Sequence, residues 1–228
     1  MEKTSKTLSA CLNHIFNRLL AHFGPLHWWP AESPFEVVIG AILTQNTAWR
    51  NVEVAIAALK SEAPLSVSNL LRMDRQRLEA LIRPSGFFRQ KAERLQLFAA
   101  HLTNHYDGDL SMMLNGPLQQ VRDELLRCKG VGPETADSIL LYAGDRPSFV
   151  VDAYTRRLFG RLGLLQGKES YEQIRQLFMA HLPHNSDLFN EYHALIVEQC
   201  KQFCRTKPLC DDCPLQGNCA AYLRGVYP

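Results

Sequence analysis

Apolar residues recur at helical spacing along nearly the whole chain and hardly anywhere alternate. Leu8, Cys11, Leu12, Ile15, Leu19 and Leu20 form one stripe, and Phe35, Val38, Ile39, Ile42 and Leu43 a second. Val52, Ala55, Ile56 and Leu59 form a third. Steps of three and four place each set on one face of a helix. Ser33 and Pro34 suit the N-cap and first position of the second helix. The same pattern predicts helices at 66–72, 74–82, 89–105, 117–128, 133–143, 152–163, 169–181 and 186–203. Only Phe149-Val150-Val151 reads as extended, and it is too short to found a sheet. The expected fold class is therefore all-α, without internal repeats. No run of about 18 apolar residues is present, which excludes a transmembrane helix. The opening MEKTSKTLSACLNHIF lacks the charged-then-apolar layout of an export signal, so the cytoplasm is the expected compartment.

Charge excludes one class of partner binding and leaves another open. With 25 Lys+Arg against 23 Asp+Glu, the net charge of +2 gives no bulk attraction to a polyanion. The distribution is less even. Residues 72–94 hold seven basic side chains against three acidic ones, a local +4. Arg89 and Lys91 lie there, in the turn-to-helix run Arg83–Ala92, and are candidates for phosphate contact. Lys201, Arg205 and Lys207 make a second, smaller basic group.

Four of the seven cysteines, Cys204, Cys210, Cys213 and Cys219, fall within 16 residues. In a reducing compartment such a cluster reads as a metal site rather than as disulfides. Four thiolates suit zinc or an iron–sulfur cluster, but structural zinc sites usually show two C-x2-C knuckles, and this tail has one. Cys200 stands one helical turn before Cys204.

Two short apolar-periodic runs flank Cys128-Lys129-Gly130-Val131-Gly132-Pro133-Glu134-Thr135-Ala136. Glycines tolerate positive φ and let a phosphate approach the backbone. Pro133 suits the first helical position, and the free N–H groups of the helix start suit an anion. The run therefore reads as a DNA-binding helix-hairpin-helix, with Lys129, Gly130, Val131, Gly132 and Thr135 at the contact. About 20 residues later, Val150-Val151-Asp152 places a carboxylate at the start of another helix, as a cap or as something more. All three tryptophans, Trp28, Trp29 and Trp49, lie within 22 residues of each other, around Leu43-Thr44-Gln45-Asn46-Thr47.

The segments LLRCKGVGPETAD and VVDAYTRRL and the cysteine tail together resemble the helix-hairpin-helix, Gly-Pro-Asp class of DNA glycosylases. The closest branch is the endonuclease III-like one, which carries a [4Fe–4S] cluster. The resemblance runs from about residue 10 to 222. It implies a two-lobed all-α fold, with a six-helix barrel at 27–146 containing the hairpin. Residues 1–26 and 147–228 would form the second lobe, around the cluster held by Cys204, Cys210, Cys213 and Cys219. It also implies a monomer acting on double-stranded DNA, with a damaged base flipped out of the duplex at a cleft between the lobes.

Within that resemblance Asp152 takes the place of the catalytic carboxylate, which stabilises positive charge on the sugar and orients a water. Gln45 matches the residue that fills the hole left by the flipped base. The family's strand-cutting members carry a Schiff-base lysine two residues after the second hairpin glycine, and here that residue is Glu134. A carboxylate forms no Schiff base, so a monofunctional glycosylase is expected. Glu134 either complements the helix dipole or acts in the pocket. Trp-Trp-Pro and T-Q-N-T-x-aromatic look most like the 3-methyladenine glycosylase group, in which aromatic rings hold a cationic, alkylated purine. That makes Trp28, Trp29 and Trp49 the pocket candidates. The best-known members of that group lack the cysteine tail, and the first cysteine gap here is five residues where the cluster loop usually has six. The alternatives are an endonuclease III-like glycosylase with lyase activity and a non-catalytic binder of damaged DNA.

Overall fold

A computed structural model describes residues 2–225, with side chains from residue 7 onward. Among the described residues there are no strands. The helices are α1 (Glu2–Phe23), α2 (Pro34–Leu43), α3 (Trp49–Glu62), α4 (Val67–Arg72), α5 (Arg75–Leu81), α6 (Phe88–Tyr106) and α7 (Leu110–Leu114). They continue with α8 (Leu118–Arg127), α9 (Pro133–Ser138), α10 (Ala153–Leu162), α11 (Tyr171–His181), α12 (Ser186–Gln202) and α13 (Ala220–Leu223). The short α7 and α13 lack enough length for a periodic stripe, so only the structure reveals them. No helix among the described residues is long and apolar enough to cross a membrane.

The chain divides into two compact units. One is Trp29–Arg146; the other joins Met1–Trp28 to Pro147–Pro228. In the Trp29–Arg146 unit, α2 contributes Ile39, Ile42 and Leu43 to a core shared with Val52 and Ala55 of α3 and Leu95 and Ala99 of α6. Ser33 caps α2 by accepting from the Glu36 N–H at 3.2 Å, as its sequence position predicts. Arg122 of α8 and Asp137 of α9 form a buried two-pronged ion pair at 2.8 and 3.0 Å, which fixes the two helices of the hairpin together. After α9 the helix widens into a π turn, Ile139–Ala143, whose ladder closes from Gly144 N to Ile139 O at 3.1 Å. The predicted single helix at 133–143 therefore carries one residue per turn more than an α-helix at its end.

The other unit is built around α12. Tyr192 is fully buried and donates its hydroxyl to Leu12 O of α1 at 2.8 Å. Phe149 stacks on Phe178 with ring centroids 3.9 Å apart and meets Phe189 edge-on. The extended Phe149-Val150-Val151 is thus core, which accounts for its β-branched residues. Arg175 of α11 is 6% exposed and donates twice to Ser148 Oγ, at 3.1 and 2.9 Å. That contact fixes the turn from which Asp152 follows.

Candidate nucleic-acid interface and catalytic site

Gly130 has φ +82, and a Cβ there would collide with the Arg94 side chain. Only glycine fits both the backbone angle and the space. Gly132 has nothing within 4 Å of where its Cβ would stand, so the backbone at the start of α9 is open to a ligand. Val131 is 7% exposed and anchors the turn. Glu134 is exposed in the first turn of α9, where its charge complements the helix dipole. Lys129 is also exposed, and pairs with Glu93 at 2.6 Å. Gly130→Ala is expected to lower stability by roughly 1–3 kcal/mol, read as a fall in the urea midpoint at unchanged slope. A variant as stable as the parent would show that Arg94 and the turn simply move aside.

Two hairpin and basic-segment residues lie elsewhere than their sequence suggests. Thr135 faces inward and accepts from Gln45 Nε2 at 2.9 Å, so it anchors Gln45 rather than meeting a phosphate. Gln45 Nε2 also donates to Gly130 O at 2.9 Å, and Arg94 Nη1 donates to Gln45 Oε1 at 2.6 Å. The expected wedge residue is therefore folded onto the hairpin. Lys91 is 1% exposed and donates to Leu43 O at 2.8 Å and Ser85 O at 2.6 Å. Burial, assisted by Arg94, pushes its pKa down to about 8. It closes the last turn of α2 and the turn before α6, and it is not on a phosphate-facing surface.

That second turn presents a residue the sequence reading missed. Phe87 is 62% exposed and sits in the left-handed region at φ 45, a strained conformation for a bulky side chain. Gly86 before it is at φ 69, and Lys91 grips the carbonyl of Ser85. Arg83 and Arg89 flank the neighbouring Phe88 ring at 5.9 and 5.8 Å. Arg75 pairs with Glu79 inside the segment, and Arg77 pairs with Glu62 outside it, which offsets one of the four net charges. A Gly followed by two aromatics between arginines was the available signal.

Trp29 meets Trp49 edge-on, with centroids 4.9 Å apart, and Tyr142 at 4.9 Å and 47°. Both indoles lie against Gly40, where a Cβ would come within 3.2 Å of Trp29 and 3.5 Å of Trp49. The π turn carries Tyr142 into this group. All three rings are half-buried, so part of their π surface stays in water. Trp28 belongs to the other unit. Its indole packs on His193 with centroids 5.6 Å apart.

Asp152 caps α10. Its Oδ1 accepts from Thr155 N at 2.7 Å and from Thr155 Oγ1 at 2.9 Å. Its Oδ2 lies 3.5 Å from His193 Nε2. Burial pushes the carboxyl up, but His193 and the Thr155 donors outweigh it and hold the group below the usual carboxylate range. A cap spends one oxygen, so the capping and catalytic readings are compatible. His193, 41 residues away in sequence, had no local signal to find it by.

Cys204, Cys210, Cys213 and Cys219 line one cavity, together with apolar side chains such as Leu158 and Leu215 and the polar Arg161, Gln199 and Gln216. Arg161 Nη1 donates to Cys204 Sγ at 3.3 Å, and Gln199 Nε2 to Cys213 Sγ at 3.0 Å. The neighbouring Cys200 side chain, with help from Arg161, holds the Cys204 thiol below its usual value against burial. Among the described residues no three His, Cys, Asp or Glu side chains converge as a single ion requires. Four thiols line one cavity, two with donors aimed at sulfur, a donor set whose chemistry suits an iron–sulfur cluster. Cys200 does not line the cavity, although its sulfur lies near both Cys204 and, at 3.6 Å, Tyr154 O.

The profile of the HhH-GPD superfamily of base excision DNA repair proteins matches residues 39–184. A Methanocaldococcus jannaschii protein provisionally named a DNA repair glycosylase is 50% identical over 206 residues, covering 90% of this chain and 94% of its own. The structure of a trapped endonuclease III–DNA covalent intermediate superposes with a TM-score of 0.83 at 23% identity, over 95% of this chain and 98% of that one. The Helicobacter pylori 3-methyladenine DNA glycosylase bound to 1,N6-ethenoadenine gives 0.71 at 28% identity, over 87% and 97%. With the hairpin, the carboxylate after it and the cysteine tail, these likenesses place the chain in the HhH-GPD superfamily of base-excision DNA glycosylases.

Proposed function

We propose that the protein is a monofunctional DNA glycosylase, which hydrolyses the bond between sugar and an alkylated purine and leaves an abasic site. The observation that carries this is the hairpin itself. Glu134 stands exposed where a Schiff-base lysine would be needed, and the adjacent Lys129 is held by Glu93. Water is then the nucleophile, and Asp152 is the group that serves it. Its Oδ2 stays charged under burial, stabilises the cationic sugar and takes a proton from the attacking water. The damaged base leaves readily because alkylation has made it cationic.

The backbone at Gly130–Gly132 receives a phosphate of double-stranded DNA, with Arg89 and the exposed Lys201, Arg205 and Lys207 as further contacts. Gln45, released from the hairpin, fills the gap in the duplex. Phe87 supplies an apolar wedge between base steps. Trp29, Trp49 and Tyr142 offer π surface to an electron-poor base, and so does Trp28 in its own unit. The likeness to the 3-methyladenine glycosylase supports this choice of base. Cys204, Cys210, Cys213 and Cys219 would hold a [4Fe–4S] cluster. Bound there, it would order the loop, and hydrolysis, which transfers no electron, would ask no redox step of it.

Borohydride trapping tests the monofunctional reading. No covalent protein–DNA adduct is expected with any lesion-bearing duplex, and strand breaks should appear only after alkali. An adduct would favour the endonuclease III-like alternative, with another amine as nucleophile. Base identity is read from a panel of duplexes carrying alkylated purine, uracil, thymine opposite guanine, 8-oxoguanine or oxidised pyrimidine.

A further inference from the structure

The surroundings of Asp152 assign work to a residue outside the hairpin and the catalytic carboxylate. Both Thr155 donors go to Oδ1, which leaves Oδ2 as the working oxygen. Oδ2 faces His193 Nε2 at 3.5 Å, and the imidazole is 5% exposed, set among the buried residues of α12. Trp28 covers the ring at 5.6 Å and 40°. The segment bearing Trp28 is itself hooked to α12. Glu191, two residues before His193, accepts from Leu26 N at 2.7 Å and from His27 N at 3.3 Å. His27 takes a positive φ of 49 to make this turn. One helix thus holds both the imidazole and the strap that covers it.

We propose that His193 is a positioning residue for Asp152, holding Oδ2 in one orientation through Nε2, and that Trp28 clamps the imidazole in that role. The proposal rests on the reading of Asp152 as the catalytic carboxylate. With its proton on Nε2, His193 faces Oδ2 as a donor at the outer limit of hydrogen-bond distance, 3.5 Å, and leaves that oxygen's other lone pair for water or the sugar cation. The donor also offsets the burial of the charge. The titratable groups around Asp152 are His193 and the Cys200 thiol, both from α12. Thr155 on its own helix is neutral, and the strap brings only the uncharged Trp28 ring.

The signs follow from that arrangement. Loss of the donor raises the pKa of Asp152, so the acid limb of the pH–rate profile moves to higher pH. His193→Phe keeps the volume and removes the donor; His193→Gln restores an N–H near Nε2. Single-turnover base release is measured from pH 4 upward on dimethyl sulfate-treated plasmid DNA and on the duplexes of the lesion panel. For His193→Phe the acid limb is expected to rise by about one pH unit and the neutral-pH rate to fall roughly tenfold. Affinity for an abasic-site duplex and visible absorbance should stay unchanged. His193→Gln should recover most of the shift. Trp28→Leu should move the limb in the same direction by less. If His193→Phe slows release without moving the limb, or if Gln gives no recovery, His193 is only a packing residue and the proposal fails alone. If Asp152→Asn is as fast as wild type, or wild type releases no base from any substrate, the catalytic reading fails and takes the proposal with it. Should His193→Phe not fold, the Trp28→Leu profile decides: a limb that moves to higher pH supports the proposal and an unmoved limb overturns it.

Discussion

Asp152→Asn is expected to slow base release by about 10²–10⁴-fold, the usual worth of a positioned acid–base group. The fold should survive, because asparagine caps a helix as well as aspartate does. Its amide oxygen can keep the Thr155 contacts made now by Oδ1. A thermal midpoint within a few degrees of wild type, an unchanged affinity for undamaged duplex and a lost single-turnover rate would separate chemistry from binding. The pH dependence adds a second check. The carboxyl of Asp152 is depressed, so wild-type activity should persist into mild acid and be lost only as pH falls through that lowered value. Undiminished release by the asparagine variant would move the catalytic role to another group, and no release by wild type from any lesion would leave a non-catalytic binder of damaged DNA as the better account.

The second large effect concerns the cysteine tail. Cys213→Ser is expected to abolish iron binding and visible absorbance, and to leave residues 204–223 open to protease. The segment's own secondary structure is slight. Its helical elements are Gln216–Asn218 and Ala220–Leu223, too short to stand alone. Apart from the cavity, it is tied by Arg18 to Pro214 O at 2.8 Å and by Arg161 to the carbonyls of Arg205 and Thr206. A cluster bound there would supply folding free energy. Iron near four atoms per wild-type chain is the expected content; one zinc per chain would refute the cluster.

Periodicity and turn chemistry carried most of the fold into view. The helices long enough to show a stripe, the Gly130 turn and the capping role open to Asp152 are all local properties. What was not legible depends on distant partners. Lys91 sits in a basic run, and charge arithmetic cannot tell a buried ammonium from a solvated one. Here two carbonyls from different turns make burial tolerable. Thr135 belongs to the hairpin motif, yet Gln45, 90 residues earlier, turns its hydroxyl inward. Tyr142 reaches the tryptophans only because the helix widens into a π turn, for which no sequence pattern spoke. Phe87 adopts a backbone angle that its own propensity opposes, so local reasoning argued against it. The cysteine spacing raised a metal site from sequence, whereas the donors aimed at its sulfurs, Arg161 and Gln199, come from two helices and were not foreseeable.

The division of the chain has a consequence for how it is made. One unit is continuous, Trp29–Arg146, and the other is assembled from the two stretches on either side of it. The continuous unit can fold while the ribosome is still at work. Leu12, Ile15 and Leu19 of α1 wait for α12, and the Leu12–Tyr192 bond joins residues 180 apart. At ordinary translation speeds that wait is on the order of ten seconds or more. During it an apolar helix face stays without its mate, a natural client for a chaperone.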